Sequence, residues 1–339
     1  MEQQRNCHPF GKDNERIGKI GSRKESHMVK TSVAMATYNG ETYIIEQLDS
    51  ILGQTMPVEE VVICDDCSTD RTVELVERYI REHHLEEHWR IERNEKNLGY
   101  ASNFVGAVKK TTGEFIFFCD QDDIWIPDRV EVMVKLMEEK PQIRLLCSEF
   151  ESFVSSADAP SVPSWEKKQF KRDNSLEHLP FNAHNLFINC QGCSMCVRRS
   201  FWEQAIPYWY TGWAHDEFVW KLALCLDGLY VYHGVTLRRR LHSSNVTMHK
   251  MRNLPKRVQF LEDLRKSHEA TLTFAKSLPM DEKAYKLLRR NIYSVGLRIE
   301  LMRDKKVWNT FPLLFRYADC YHSKKSIPVE LYMAIKGNR

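Results

Sequence analysis

The sequence predicts an α/β fold: a doubly wound, mostly parallel sheet followed by a C-terminal helical appendage. Three observations carry this. Short apolar runs alternate with segments of helical periodicity from Thr31 to about Cys147, joined by short loops. One run, Phe115-Ile116-Phe117-Phe118-Cys119, ends abruptly in Asp120-Gln121-Asp122-Asp123, as a central strand does when its C-terminal end carries a site. From Lys250 onward the texture turns helical and basic, with 20 Lys/Arg against nine Asp/Glu. The chain divides accordingly into a polar tail over residues 1–28, a main domain over 29–249 and a helical region over 250–339.

Taken in order, Thr31–Ala36 reads as a strand, and Thr37-Tyr38-Asn39-Gly40-Glu41 follows with an Asn-Gly turn signal. Ile44, Leu48, Ile51 and Leu52 recur at helical spacing. Val61–Cys64 is a second buried strand, ending in Asp65-Asp66-Cys67-Ser68-Thr69-Asp70, where Asp70 suits a helix N-cap. Trp89–Arg93 is a third strand. The loop holding Asn97-Leu98-Gly99 leads into a helix from about Ala101 to Lys110. After the Phe115 strand and its carboxylates comes a helix from Pro127 to about Glu139, then a short strand at Ile143–Cys147. Residues 155–185 are rich in Pro, Ser, Lys and Asn and read either as a partly mobile loop over a pocket mouth or as an insertion without a role. Phe187–Val197 has buried-strand composition. Gly212-Trp213-Ala214-His215-Asp216-Glu217 opens an apolar helix to about Leu226, Leu229–His233 is strand-like, and Arg238-Arg239-Arg240 with His242 forms a cationic loop suited to a pyrophosphate.

Composition narrows the function classes. Hydrophobic content is 42% and aromatic content 11% over 339 residues, enough for a substantial core. No run approaches the roughly 18 apolar residues of a membrane span, and residues 1–28 lack the apolar stretch of an export signal. That tail is expected to be disordered, with Met28 as a candidate start. Ten cysteines without an export signal indicate reduced thiols in a cytoplasm. The CxxC at Cys64–Cys67 and the Cys190, Cys193, Cys196 series read as packing or pocket lining rather than metal or redox centres. Neither GxGxxG nor GxxxxGK[ST] is present, so a nucleotide would be held by acidic and polar strand ends. The basic helices carry interleaved aromatic residues, among them Phe260, Leu264, Leu288, Trp308, Phe311, Leu314, Phe315 and Tyr317. They fit either an anionic membrane surface or an apolar stripe packed on the main domain. No motif for nucleic-acid recognition accompanies the charge.

Together these stretches, from about Thr31 to Asn245, resemble the family 2 glycosyltransferases, inverting enzymes of the GT-A fold. Thr37-Tyr38-Asn39-Gly40-Glu41 matches the first nucleotide-binding loop of that family. Asp65 opens the second, where it would meet the base, and Asn97 and Gly99 belong to the third. Asp120-Gln121-Asp122 is similar to the DxD motif, which implies that Asp120 faces the ribose and Asp122 holds Mg²⁺ or Mn²⁺. The catalytic base falls on Asp216. Arg240-Leu241-His242-Ser243-Ser244-Asn245 resembles the RxHxxN ending of rhamnosyltransferase-like members, which implies a role for Arg240 at the diphosphate and for His242 at the metal. The resemblance implies a dTDP- or UDP-sugar donor, with rhamnose as one sugar, but Cys190-Gln191-Gly192-Cys193 departs from the family near the acceptor. The basic, aromatic segment after Lys250 suggests work on a glycan or lipid-linked glycan at the inner face of a membrane.

The chemistry behind such an arrangement is elementary. Crowded carboxylates repel one another, and a hard divalent cation offsets the repulsion while stabilising a leaving diphosphate. A carboxylate on the opposite face takes the acceptor proton and the anomeric centre inverts. Glu217 is a rival base, because an aromatic residue usually stands at its position. Asp216 read alone also fits a helix N-cap, and His242 a surface histidine. A sugar-1-phosphate nucleotidyltransferase would share the sheet but needs a glycine-rich basic loop after the first strand. A non-catalytic sugar-nucleotide module would need no base.

Overall fold

The computed structural model describes residues 31–166, 170–243 and 253–337. The polar tail and Asn245 of the cationic ending lie outside the described residues. The first half alternates as expected: β1 (Thr31–Thr37), α1 (Ile44–Leu52), β2 (Glu60–Asp65), α2 (Thr72–Glu82), β3 (Trp89–Arg93), α3 (Tyr100–Lys110), β4 (Phe115–Cys119), β5 (Ile124–Trp125) and α4 (Arg129–Glu139). Then come β6 (Leu145–Val154), β7 (Leu176–His178), β8 (Met195–Arg198), α5 (Arg199–Ala205), α6 (His215–Cys225) and β9 (Leu229–Leu241). Four helices end the described chain: α7 (Leu254–Ala275), α8 (Glu282–Arg303), α9 (Thr310–Phe315) and α10 (Ser326–Lys336).

One sheet runs in the order β3-β2-β1-β4-β8-β6-β9-β5, with β7 on β9. β3, β2, β1 and β4 are mutually parallel. β8 is antiparallel between β4 and β6, and β9 lies parallel to β6. Side chains of a strand alternate between faces, so each strand feeds two cores. Val33, Met35, Val61, Ile63, Phe115 and Phe117 pack with α1, α2 and α4. Ala34, Val62, Ile116 and Phe118 pack with α3, α5 and α6 on the other face, and Phe274 and Leu288 of the C-terminal helices join them. The sheet is therefore covered on both sides, as parallel strands require.

Four local expectations need correction. The strand expected over Phe187–Val197 is confined to β8, because Gly192–Ser194 forms a 3-10 turn closed by Ser194 onto the Gln191 carbonyl. Arg238, Arg239 and Arg240 lie on β9 rather than in a loop. Their backbones pair with Glu151–Phe153 of β6, and the Arg238 and Arg240 guanidiniums stack on the Phe153 ring. β6 itself runs to Val154, well past Cys147, for the same reason. The 155–185 segment contains β7 and is anchored by the buried Glu166, which accepts from Ser152 N at 2.8 Å.

The C-terminal helices form a layer of their own. α7 and α8 are each 22 residues long, with N-caps from Asn253 and Asp281. Their core includes Leu261, Val295, Leu301 and Leu313. At its centre Glu330 of α10 is fully buried and held by Arg257 of α7 and Arg298 of α8, each at 2.7 Å, and by the Tyr321 hydroxyl at 3.1 Å. Among the described residues no helix is long and apolar enough to cross a membrane.

Candidate active site

The C-terminal ends of β1, β2, β3 and β4 converge, and their loops are tied together by side chain–backbone hydrogen bonds. In the first loop Asn39 adopts a positive φ of 50°. Its N–H donates to Ser68 Oγ and its Oδ1 accepts from Thr69 N, both at 2.8 Å. Gly40 N donates to Thr72 Oγ1 at 2.7 Å and Glu41 N to Asp70 Oδ2 at 3.0 Å, so Asp70 fixes the first loop as well as the start of α2. Gln121 clamps the Tyr38 backbone at both ends: its Oε1 accepts from Tyr38 N at 2.8 Å and its Nε2 donates to Tyr38 O at 3.0 Å. The clamp fits because position 40 is glycine; a Cβ there would lie 2.3 Å from Gln121 Oε1.

Asp65 is fully buried and accepts from Ser68 N at 2.9 Å, from Ser68 Oγ, and from Thr37 Oγ1 at 3.1 Å. Asp66 organises the third loop, accepting from Leu98 N at 2.7 Å and Gly99 N at 2.8 Å, while Asn97 Nδ2 donates to the Asp66 carbonyl. Gly99 takes φ 79°, a conformation glycine adopts without strain. Asp65, Asn97 and Gly99 thus stand together with Thr37, Tyr38, Asn39 and Glu41 around one sheet edge. Asp66 was visible in the sequence only as the second acid of a pair, with no signal for its structural role.

The acidic loop after β4 divides its carboxylates. Asp122 Oδ2 lies 2.6 Å from His242 Nε2, and the His242 ring packs on Tyr43 with centroids 5.0 Å apart. Arg240 braces the loop: its N donates to Asp123 Oδ1 at 3.0 Å, its Nε to the Asp122 carbonyl at 2.8 Å, and its terminal nitrogen pairs with Glu46. Asp120, Asp123 and Cys193 bring one ligand atom each within 4.8 Å of one another. Asp123 Oδ2 is buried and lacks a hydrogen-bond partner. Burial, with the neighbouring Asp122 adding to it, pushes Asp123 up to about 7. Burial likewise holds Asp120 well above the usual carboxylate range, assisted by Asp122 and Asp123. Two carboxyls that resist ionisation, one of them with an orphaned buried oxygen, fit a divalent cation. Cys193 was read from sequence as lining, and no spacing rule pointed to its place beside Asp120 and Asp123.

Across from this loop, α6 presents Asp216. Its Oδ1 accepts from Glu217 N at 2.8 Å, and burial raises its pKa to about 6. Asp216 is close enough to Asp120 to raise the latter's proton affinity. His215 beside it is stacked on Phe104 at 3.9 Å, with both ring nitrogens unpartnered, and burial lowers it to about 3, so it is neutral. Glu217 turns away: it pairs with the fully buried Lys221 at 2.6 Å and accepts from Ser267 Oγ of α7 at 3.2 Å. That carboxylate fastens α6 to the C-terminal helices.

A parallel half-sheet with polar loops at its carboxyl ends, an acidic cluster and a half-buried aspartate beside it belong to a GT-A fold. Residues 32–204 match Glycosyl transferase family 2, half of the chain, and the chain belongs to that family. Among similar proteins, TarS of Staphylococcus aureus, a poly(ribitol-phosphate) β-N-acetylglucosaminyltransferase, is 43% identical over 98 residues, 28% of this chain and 17% of that protein. The putative teichuronic acid biosynthesis glycosyltransferase TuaG of Bacillus subtilis is 33% identical over 109 residues, 32% of this chain and 42% of that protein. The matched segment thus spans less than half the length of either relative. TarS residues 1–349 in complex with UDP-GlcNAc superimpose with a TM-score of 0.61 at 18% identity, covering 91% of this chain and 87% of that one. A Pyrobaculum calidifontis mannosyltransferase in complex with GDP-Man and Mn²⁺ gives 0.51 at 15%, covering 91% and 88%.

Proposed function

We propose that the protein is an inverting glycosyltransferase that moves a sugar from a nucleotide-diphosphate donor to a hydroxyl of a glycan or lipid-linked glycan, in cell-surface polysaccharide synthesis. The observation that carries this reading is the pairing of Asp216, raised to about 6, with the acidic loop it faces. Asp65, Asn97 and Gly99 would line the base and ribose, Thr37, Tyr38, Asn39 and Glu41 the nucleotide. Asp120 and Asp122 would face the ribose and diphosphate. Arg240 fits a bracing role better than direct diphosphate binding, since its guanidinium already holds Glu46 and the Asp122 carbonyl.

Mg²⁺ or Mn²⁺ held by Asp122 with His242, or by Asp120 and Asp123, would supply positive charge to the departing diphosphate. Asp216 would accept the acceptor hydroxyl's proton as the new glycosidic bond forms on the opposite face. His215, neutral and buried, adds no charge that would depress Asp216. Glu217 is a weaker candidate base because its carboxylate is committed to Lys221.

UDP-GlcNAc is the first donor to test, with dTDP-rhamnose beside it. Purified protein with Mn²⁺ should be stabilised by one donor in a thermal-shift screen and should hydrolyse it slowly. Release of pyrophosphate from a nucleoside triphosphate and sugar phosphate would identify a nucleotidyltransferase instead. Stabilisation by the donor without any turnover would identify a binding module.

A further inference from the structure

The exposed side of the C-terminal helices α9 and α10 is apolar where a protein surface is normally polar. In the short α9, Phe311 and Phe315 are 70% and 78% exposed, and Leu314 between them is also exposed. Their i, i+3, i+4 spacing puts them on one side of the helix, and Trp308 is exposed in the turn just before it. α10 repeats the pattern, with Val329, Tyr332 and Ile335 exposed at three-residue intervals while Ile327 and Ala334 are buried. α9 and α10 pack against each other, so the two exposed stripes lie on neighbouring helices. A cluster of exposed large apolar side chains, with Phe311 and Phe315 stacked at 6.4 Å, marks an interaction site.

The charge around the stripes selects the partner. Residues 304–336 carry six Lys/Arg against three Asp/Glu. All three acids are engaged: Asp304 with Arg303, Asp319 with Arg290, and Glu330 in its buried arginine pair. Lys305, Lys324 and Lys325 are exposed and have no carboxylate partner among the described residues. A second copy docked through the same patch would bring two sets of these lysines into one interface in which the segment's acids are already engaged. A free polyanion would satisfy the lysines and leave the phenylalanines in water. A bilayer with anionic headgroups satisfies both at once, apolar side chains entering the acyl boundary and lysines meeting phosphate.

We propose that α9 and α10 form a docking surface for an anionic phospholipid bilayer, with Phe311, Phe315 and Ile335 inserting and Lys324 and Lys325 at the headgroups. The proposal deepens the proposed function, resting on it only for a lipid-linked acceptor; the surface stands on its own exposure and charge.

The test is co-sedimentation of the full chain with vesicles rich in phosphatidylglycerol and with vesicles of phosphatidylcholine alone. Binding is expected to the first, weakening as salt rises. The pair Phe311→Glu and Phe315→Glu should weaken it at least tenfold, and so should Lys324→Gln with Lys325→Gln. Tyr332→Glu with Ile335→Glu provides an independent probe should the first pair disturb α9. Donor hydrolysis and melting temperature should match the parent in every variant, since none of these residues lies near the sheet loops. Absence of vesicle binding at low salt overturns the proposal while leaving the transfer reaction standing. Parent-like binding by both apolar variants overturns it in favour of a polyanion site. Self-association abolished by the same substitutions, without vesicle binding, overturns it in favour of an interface between copies.

Discussion

Replacing Asp216 by asparagine tests the base, because Asp216 is not the N-cap the sequence allowed: it lies in the first turn of α6, whose N-cap is Ala214. Asparagine keeps an oxygen that can accept from Glu217 N, so that contact survives. What it removes is a carboxyl whose proton affinity is raised by burial from 3.8 to about 6. An acid whose folded pKa is raised destabilises the folded state wherever it must be ionised. Below 3.8 both states hold the proton and no penalty exists; the penalty grows as pH rises toward 6 and is constant above. Two pKa units correspond to about 3 kcal/mol, an upper bound because the side chain is half-buried and partly hydrated. The asparagine variant should therefore match the parent in urea unfolding at pH 3 and exceed it by up to about 3 kcal/mol at pH 8. Transfer should move the other way. The parent rate should rise roughly tenfold between pH 5 and pH 7 as Asp216 ionises, and the variant should be slower by roughly 10²–10⁴ with donor affinity unchanged. A variant with parent-like turnover, or one less stable than the parent at pH 8, would refute the reasoning.

Further expectations concern the groups around it. Glu217→Gln leaves Lys221 buried without its carboxylate and should cost about 3 kcal/mol, seen as a lower melting temperature, while slowing transfer far less than Asp216→Asn. Excess EDTA, or Asp122→Asn, should abolish turnover with the melting temperature of the ligand-free protein preserved. Because Asp123 is raised to about 7 and a bound cation must displace protons, Mn²⁺ affinity measured by calorimetry should strengthen as pH rises through that value. Glu330→Gln should cost about 3–5 kcal/mol and expose the C-terminal helices to limited proteolysis. Its arginine partners and other hydrogen bonds outweigh burial and leave Glu330 below its usual 4.5, so this contribution is present at neutral pH and fades as pH falls below that value.

The parallel half of the sheet was legible because strands buried on both faces read as unbroken apolar runs, and β4 with its carboxylates is the clearest of them. The other half was less so. Arg238–Arg240 looks like a loop by composition, yet β6 offers both a backbone ladder and aromatic faces for the guanidiniums. No local rule foresees a partner more than eighty residues away. The same holds inside the site. The sequence drew attention to Asp120 and Asp122 through their DxD-like spacing, but the contact of Asp122 with His242 and that of Glu217 with Ser267 depend on how β9 and α7 return to the loops, whereas the Glu217–Lys221 pair is local to one helix face. In the helical region the basic, aromatic texture was plain, but its sidedness was not. Leu264, Leu288 and Tyr317 turn inward, whereas Trp308, Phe311 and Phe315 turn outward, and only packing decides which.

The clamp of Gln121 on Tyr38 has a consequence for how such a site can diverge. A Cβ at position 40 would displace the Gln121 amide, the far end of a flexible side chain, and what it costs is the pair of hydrogen bonds to Tyr38. The two positions lie on different loops, eighty-one residues apart, yet neither can change freely while the other stays. A mutational library that varies one loop at a time would score both positions as intolerant. Varying them as a pair would reveal alternative combinations, each reached through a single-step intermediate less fit than either end. The loops after β1 and β4 are then expected to accept change together rather than one at a time.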